Sequence, residues 1–244
     1  MLAVYNNWGH YDELGDKVVL TDALVQQELD TLERWKRELG LTFDVFVIDC
    51  LWFEPTLGYR HFRAADWPHG PWRVFERIRA LGMMPGLWFS TNGGRLNVPA
   101  WEPSRCNDNW SYSLADGPYA DALEDGFMHA AAEWGVRYFK LDFASLHQGA
   151  KGVTRAEQET LRLSVERLRA IIRRVRARFP DVNFITHCGF ARKNSESMIG
   201  SPAPLEVDTG WLDVLDAMFS GDPHCTDIPQ TSLARNTDLF QDRQ

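Results

Sequence analysis

Cysteine is scarce in this sequence, and its spacing is wrong for cysteine chemistry. Cys50, Cys106, Cys188 and Cys225 are the only four in 244 residues. They lie far apart with no CxxC pair, which excludes a zinc knuckle or a dense disulfide framework and leaves free thiols. Long hydrophobic runs are also missing. No stretch approaches the roughly 20 apolar residues of a membrane span, and 44% hydrophobic with 25% charged residues is the composition of a soluble globular protein, so no membrane partner is expected. Positive charge is in deficit. A net charge of -8, without a basic face interleaved with aromatics, excludes nucleic acid in favour of small molecules. There is no HxH or HExxH motif, His187 and His224 being the only suggestive histidines, so neither a metal nor a cofactor is expected. The segment Met1-Leu2-Ala3-Val4-Tyr5 lacks the basic region, apolar stretch and cleavage site of a secretory signal, which points to the cytoplasm. Homo-oligomer formation is left open.

What the sequence has is an alternation of two periodicities. Short apolar runs alternate with longer stretches of helical spacing, the order of β/α units on a parallel sheet. Six runs read as strands: Leu2 to Tyr5, Phe43 to Asp49, Met83 to Phe89, Arg137 to Asp142, Val182 to Cys188 and, less sharply, Val214 to Gly221. Their ends recur at roughly 40 to 50 residues, enough for a strand, a crossover helix and two loops. The clearest helix follows Thr154, where Leu161, Val165, Leu168, Ile172, Val175 and Phe179 alternate steps of four and three. Its arginine-rich opposite face reads as solvated. Pro180-Asp181 ends it, because proline cannot continue a helix. Similar spacing predicts helices near 21–39, 71–81 and 118–134, with 90–117 and 189–213 as long polar loops.

The fold class is therefore α/β, a (β/α)8 TIM-barrel type, in a single domain over 1–244. About six of the eight units are evident. Either two strands are hidden in the loops or the polypeptide stops before the barrel closes. The short stretch after the sixth run favours a catalytic barrel truncated at its C-terminal end, with unpaired strand edges.

In such folds the chemistry gathers at the C-terminal ends of strands. The strand-end residues are polar: Asn6 and Asn7 with Trp8, Asp49, Trp88 and Ser90, Lys140 and Asp142, His187 and Cys188, then Asp222 and Asp227. A lone strand-end Asp is more often a cap than a catalyst, but several at successive ends shift that balance. Lys140 and Asp142 share strand parity, so both reach one mouth, where the cation would keep the carboxylate ionised. A retaining glycosidase needs such a carboxylate and, about 5 to 5.5 Å away, a carboxylic acid. Asp222 and Asp227 are the candidates for the acid, with Asp222 slightly preferred.

Ten tryptophans are many for this length. Trp134 and Trp211 read as core, while a sugar cleft also sets aromatic faces against pyranose rings. The segments Tyr5-Asn6-Asn7-Trp8, Phe46-Val47-Ile48-Asp49-Cys50-Leu51-Trp52-Phe53, Pro85-Gly86-Leu87-Trp88, Tyr138-Phe139-Lys140-Leu141-Asp142-Phe143 and Ser220-Gly221-Asp222 resemble, in that order, the barrel of melibiase-type α-galactosidases of glycoside hydrolase families 36 and 27. The resemblance runs from the first barrel strand to the sixth, and its most specific element is the Lys-x-Asp of the fourth.

By that resemblance the chain is a retaining hydrolase of terminal α-linked hexosides, with a carbohydrate substrate. Asp142 attacks the anomeric carbon, Lys140 and Asp49 hold ring hydroxyls, Trp52 and Trp88 line the pocket, and the sixth-strand Asp is acid and then base. Cys188-Gly189-Phe190-Ala191-Arg192 resembles loosely the family's Cys-x-x-Gly-x-x-Arg, which makes Cys188 and Arg192 substrate contacts. One departure stands out: the family pairs two aspartates after the second strand, and here the second is Cys50, which cannot accept charge-assisted hydrogen bonds. Two other readings stay open. One is a degenerate, non-catalytic sugar binder; the other is a barrel lyase using Lys140 as a Schiff-base nucleophile.

Overall fold

The computed structural model describes residues 2–8, 19–143, 146–186 and 209–218. Eight strands and four α-helices are numbered here in chain order. They are β1 (Val4–Asn6), α1 (Asp22–Leu39), β2 (Val45–Ile48), β3 (Phe53–Glu54), β4 (Gly58–Phe62), α2 (Trp72–Ala80), β5 (Met84–Ser90), α3 (Tyr119–Ala132), β6 (Tyr138–Asp142), α4 (Glu157–Arg178), β7 (Asn183–Thr186) and β8 (Ala217–Met218). Six strands form one parallel sheet in the order β1-β2-β5-β6-β7-β8, and β3 and β4 form a separate antiparallel pair. This is an incomplete TIM-type barrel, open between β8 and β1 among the described residues. Each of the six apolar runs supplies one strand of the parallel sheet.

Alternation along the strands divides the sheet into two faces. Phe46 and Ile48, Leu87 and Phe89, Phe139 and Leu141, and Phe184 join the main core with Val25 and Leu29 of α1, Phe75 of α2, Phe127 of α3 and Ile172 of α4. Val45, Val47, Tyr138 and Ile185 form a second, smaller cluster on the other face, with Val4, Met84 and Ala217 against it. This inner face is crowded at Gly86, which pairs in register with Val47 and Tyr138. A Cβ there would lie 2.9 Å from Val47 Cγ2 and 3.3 Å from Tyr138 Cβ, so only glycine lets the three strands curl together.

The helices form where the spacing predicts them. Thr21 caps α1, its hydroxyl accepting the Leu24 N–H at 3.1 Å, and Val25, Leu29 and Leu32 bury one face. In α4 the buried stripe is Thr160, Ser164, Leu168, Ile171, Ile172 and Val175. The arginine-rich face of α4 differs from expectation, being a set of ion pairs rather than merely solvated. Arg174 reaches Glu124 of α3 through two contacts of 2.7 and 2.6 Å, and Arg169 and Arg173 both reach Asp213 at 2.6 Å. Each such pair contributes little alone, but together they orient α4 against its neighbours.

Two further stretches between the parallel strands carry structure. Residues 50–62 contain the β3–β4 hairpin. Residues 90–117, polar in sequence, are packed rather than extended into solvent: Thr91, Ser104, Ser111 and Ser113 are fully buried, as are Tyr112 and Leu114. Their polar groups are satisfied internally, as when Ser104 Oγ accepts the Tyr119 N–H at 3.0 Å at the start of α3. The Tyr59 and Tyr119 hydroxyls both donate to the Ser90 carbonyl at 2.8 Å, tying hairpin, loop and β5 together. Trp134 and Trp211 are core residues, as predicted. No helix among the described residues is long and apolar enough to cross a membrane.

Candidate active site

Two carboxylates occupy the C-terminal ends of β2 and β6. Asp49 follows β2 directly, and its N–H donates to Asn7 Oδ1 at 2.8 Å. Asn7 is itself fixed, since its N–H donates to the Val47 carbonyl at 3.2 Å and its side-chain amide to Glu28 Oε2 of α1 at 3.3 Å. Asp49 Oδ1 accepts the Cys50 N–H at 2.8 Å, and Oδ2 accepts Lys140 Nζ at 2.7 Å. The ion pair is almost sealed, with 9% of the Lys140 side chain and 4% of the Asp49 side chain exposed.

Burial by itself lowers the Lys140 pKa. The charges of Asp49 and Asp142 and the hydrogen bond to Asp49 outweigh it, so the ammonium is held above its ordinary value. The amine therefore stays protonated near neutral pH and has no lone pair for Schiff-base formation.

Asp142 closes β6, and register puts it beside Ser90 while Lys140 lies beside Trp88. It is half-buried. Its Oδ1 accepts the Phe143 N–H at 2.8 Å and its Oδ2 accepts the Trp88 indole N–H at 3.0 Å. The Asp142 carbonyl accepts both the N–H and the hydroxyl of Thr91, at 2.7 and 2.8 Å. The strand end is thus pinned from β5 and the loop after it. Sequence parity suggested that Lys140 would serve Asp142 directly. The ammonium instead hydrogen-bonds Asp49 and acts on Asp142 through its field.

Both turns carry backbone strain. Leu51, two residues after Asp49, has φ 72°, and Phe143, next to Asp142, has φ 51°. Such conformations cost a non-glycine residue about 1 to 3 kcal/mol, and they cluster at functional sites.

The two tryptophans expected to line a pocket separate. Trp88 holds the carboxylate with its N–H, while its ring stacks on Phe53 at 6.2 Å and meets Phe143 edge-on at 5.5 Å. Trp52 is completely buried among Phe53, Phe62, Phe89 and Trp134, with its N–H donating to the Trp88 carbonyl at 2.8 Å. The expectation of a sugar contact at Trp52 does not fit this placement. Trp52 supports the backbone that carries Trp88, because the hairpin folds over it.

Cys50, half-buried, stands where a second aspartate was expected. Burial first, and then the charge of Asp49, push its thiol far up, so it is neutral near pH 7. The charge of Arg95, exposed and at φ 74° in the loop after β5, acts on Cys50 and lowers its thiol pKa. Sequence reasoning missed Asn7 as the bracket of Asp49, although its strand-end place was visible. Asp222, Asp227, Cys188 and Arg192 lie outside the described residues, as does His187.

Compared with protein-family models the chain matches none, and no curated protein is similar to it by sequence. Solved structures do match. An α-galactosidase from Lactobacillus brevis superposes with TM-score 0.64 at 16% identity, over 98% of this chain and 36% of that one. A family GH36 α-galactosidase from Geobacillus stearothermophilus, crystallised in complex with raffinose, gives TM-score 0.57 at 17% identity, over 76% of this chain and 27% of the other. α-Galactosidase I from Mortierella vinacea gives 0.50 at 15% identity, over 76% and 39%. At these identities the likeness is one of fold, the TIM-type barrel of glycosidases. The chain spans well under half the length of each.

Proposed function

We propose that this chain is a retaining glycoside hydrolase acting on terminal α-linked hexosides, with Asp142 as nucleophile. The observation that carries the reading is the setting of Asp142. It is a half-buried carboxylate at a strand end, with Oδ1 accepting the Phe143 N–H, Oδ2 accepting the Trp88 indole N–H, and a buried Lys140–Asp49 pair alongside. In the first step an Asp142 oxygen forms a bond to the anomeric carbon as the glycosidic C–O bond breaks. The leaving oxygen takes a proton from the acid, assigned to Asp222 or Asp227 by their place in the chain. In the second step that residue takes a proton from water, and the water oxygen displaces the Asp142 carboxylate.

Lys140 and Asp49 serve as donor and acceptor for ring hydroxyls, and Trp88 aims the nucleophile. Cys188 and Arg192 are assigned as further substrate contacts from the resemblance alone. Cys50, a neutral thiol where the family has a carboxylate, makes recognition of the galactose 4- and 6-hydroxyls weaker, so another hexose fits the proposal equally well. Support for the glycosidase class comes from the barrel shared with α-galactosidases. The Schiff-base alternative is disfavoured by the protonated, ion-paired state of Lys140.

The test is nitrophenol release from a panel of α-linked nitrophenyl glycosides by the parent and by Asp142→Asn. Activity on one sugar that the substitution abolishes is expected. A cooperatively folded parent inactive on every member would instead indicate a non-catalytic sugar binder.

A further inference from the structure

A line of aromatic rings leads from the candidate nucleophile to the surface. Trp88, whose N–H holds Asp142, meets Phe143 edge-on at 5.5 Å, and Phe143 meets Trp110 edge-on at 5.4 Å. Burial falls along the line. Trp88 is 1% exposed, whereas Trp110 is 36% exposed. Phe143 takes its intermediate place because its backbone adopts φ 51°, a conformation that needs a compensating role.

The backbone that carries Trp110 is anchored. Asp108 Oδ1 accepts the backbone N–H groups of Trp110 and Ser111 at 2.9 and 2.8 Å, and Asp108 Oδ2 accepts the Ser111 hydroxyl at 2.5 Å. These bonds hold the Asp108 carboxyl below its ordinary pKa against the opposing effect of burial, so the mount persists in mild acid. Behind the indole lies Gly94. A Cβ there would approach Trp110 Cζ2 to 2.5 Å, so the ring takes space that any other residue would occupy. The indole is thus partly exposed, packed against Gly94 and continuous with the site through one ring. A partly exposed ring packed against Gly94 and linked through Phe143 to the Asp142 strand end is a surface that one face of a sugar can meet.

We propose that Trp110 is the platform for the leaving-group sugar, the unit on the far side of the scissile bond from the ring that Asp142 attacks. The inference rests on the glycosidase reading and deepens it. The occupant is a pyranose, because the platform is a single flat apolar ring separated by Phe143 from a half-buried carboxylate, a pairing that suits one face of CH groups flanked by hydroxyls. Substrates with a second sugar then bind across both rings, while simple glycosides use only the inner part.

Binding is measured by calorimetry in an Asp142→Asn background, which prevents turnover, with methyl α-galactoside and methyl α-glucoside against melibiose and isomaltose. Expected is that Trp110→Ala weakens the preferred disaccharide about tenfold and leaves the matching methyl glycoside unchanged. Gly94→Ala, which displaces the ring without removing it, is expected to act in the same direction. Equal loss for disaccharide and methyl glycoside, or no loss for either, overturns the platform and leaves the glycosidase reading intact. A folded protein that binds none of the four overturns both.

Discussion

Asp49 and Asp142 stand at the ends of β2 and β6 with the same local geometry up to one atom. In each, Oδ1 accepts the N–H of the next residue at 2.8 Å, and a left-handed non-glycine residue follows within two positions. They part at Oδ2. Asp49 gives that oxygen to a buried ammonium at 2.7 Å, whereas the Oδ2 of Asp142 accepts the Trp88 indole N–H at 3.0 Å and the residue is half-buried. A buried ammonium ties a carboxylate down, while an indole N–H helps to aim one. Under the proposed function one acid is scaffold and hydroxyl acceptor, and the other is the nucleophile.

The comparison breaks most sharply at the nucleophile. Asp142→Asn is expected to lower glycoside turnover by at least about 10⁴-fold while shifting the urea midpoint little, because the amide oxygen still accepts one of the N–H donors and the half-buried site lets solvent reach the other. If the same substitution instead unfolds the chain, Asp142 is the scaffold and the division above is wrong.

Lys140→Met tests the other carboxylate. It leaves Asp49 buried without its counter-charge, and a loss of about 3 to 5 kcal/mol in urea unfolding is expected. Adding Asp49→Asn should recover part of that loss, and a purely additive double variant would mean that the pair is not coupled. The pH dependence has a definite sign. A lysine whose folded pKa is raised contributes stability that is fully present below its ordinary value, about 10.5, and lost as pH rises through the folded value. Parent and Lys140→Met should therefore converge in stability only in strong alkali.

Smaller effects separate aiming from packing. Trp88→Phe keeps a ring against Phe53 and Phe143 but removes the donor to Asp142, and about a tenfold fall in kcat with little change in KM is expected. A change in KM alone would make Trp88 a wall rather than a guide. The smallest effect concerns Cys50, whose raised pKa should make alkylation by iodoacetamide slow at pH 8 compared with a free peptide thiol, read by peptide mass spectrometry. Fast labelling would show a thiolate, and with it a charge beside Asp49.

Much of this arrangement was legible in the residues. The six apolar runs each yielded a parallel strand, and Asp49, Trp88, Lys140 and Asp142 all fell at or beside strand ends. Strand alternation is local, so parity placed Lys140 and Asp142 on one face without a structure. Residues 50–62 were not legible, because the two-residue β3 has too few positions to show alternation. The burial of 90–117 was equally hidden, since Ser104, Ser111 and Ser113 look like loop residues until their hydrogen bonds are seen.

By itself, the sequence determined the α/β order, the helix faces and the set of polar side chains gathered at one end of the sheet, all consequences of periodicity within single elements. Only the tertiary structure decided how those side chains pair. Lys140 goes to Asp49, 91 positions away, rather than to Asp142 two positions along its own strand. Trp52 turns into the core while Trp88 reaches the carboxylate. Partner choice depends on strand register and on the curl that Gly86 permits, and both arise between elements, where no local pattern records them.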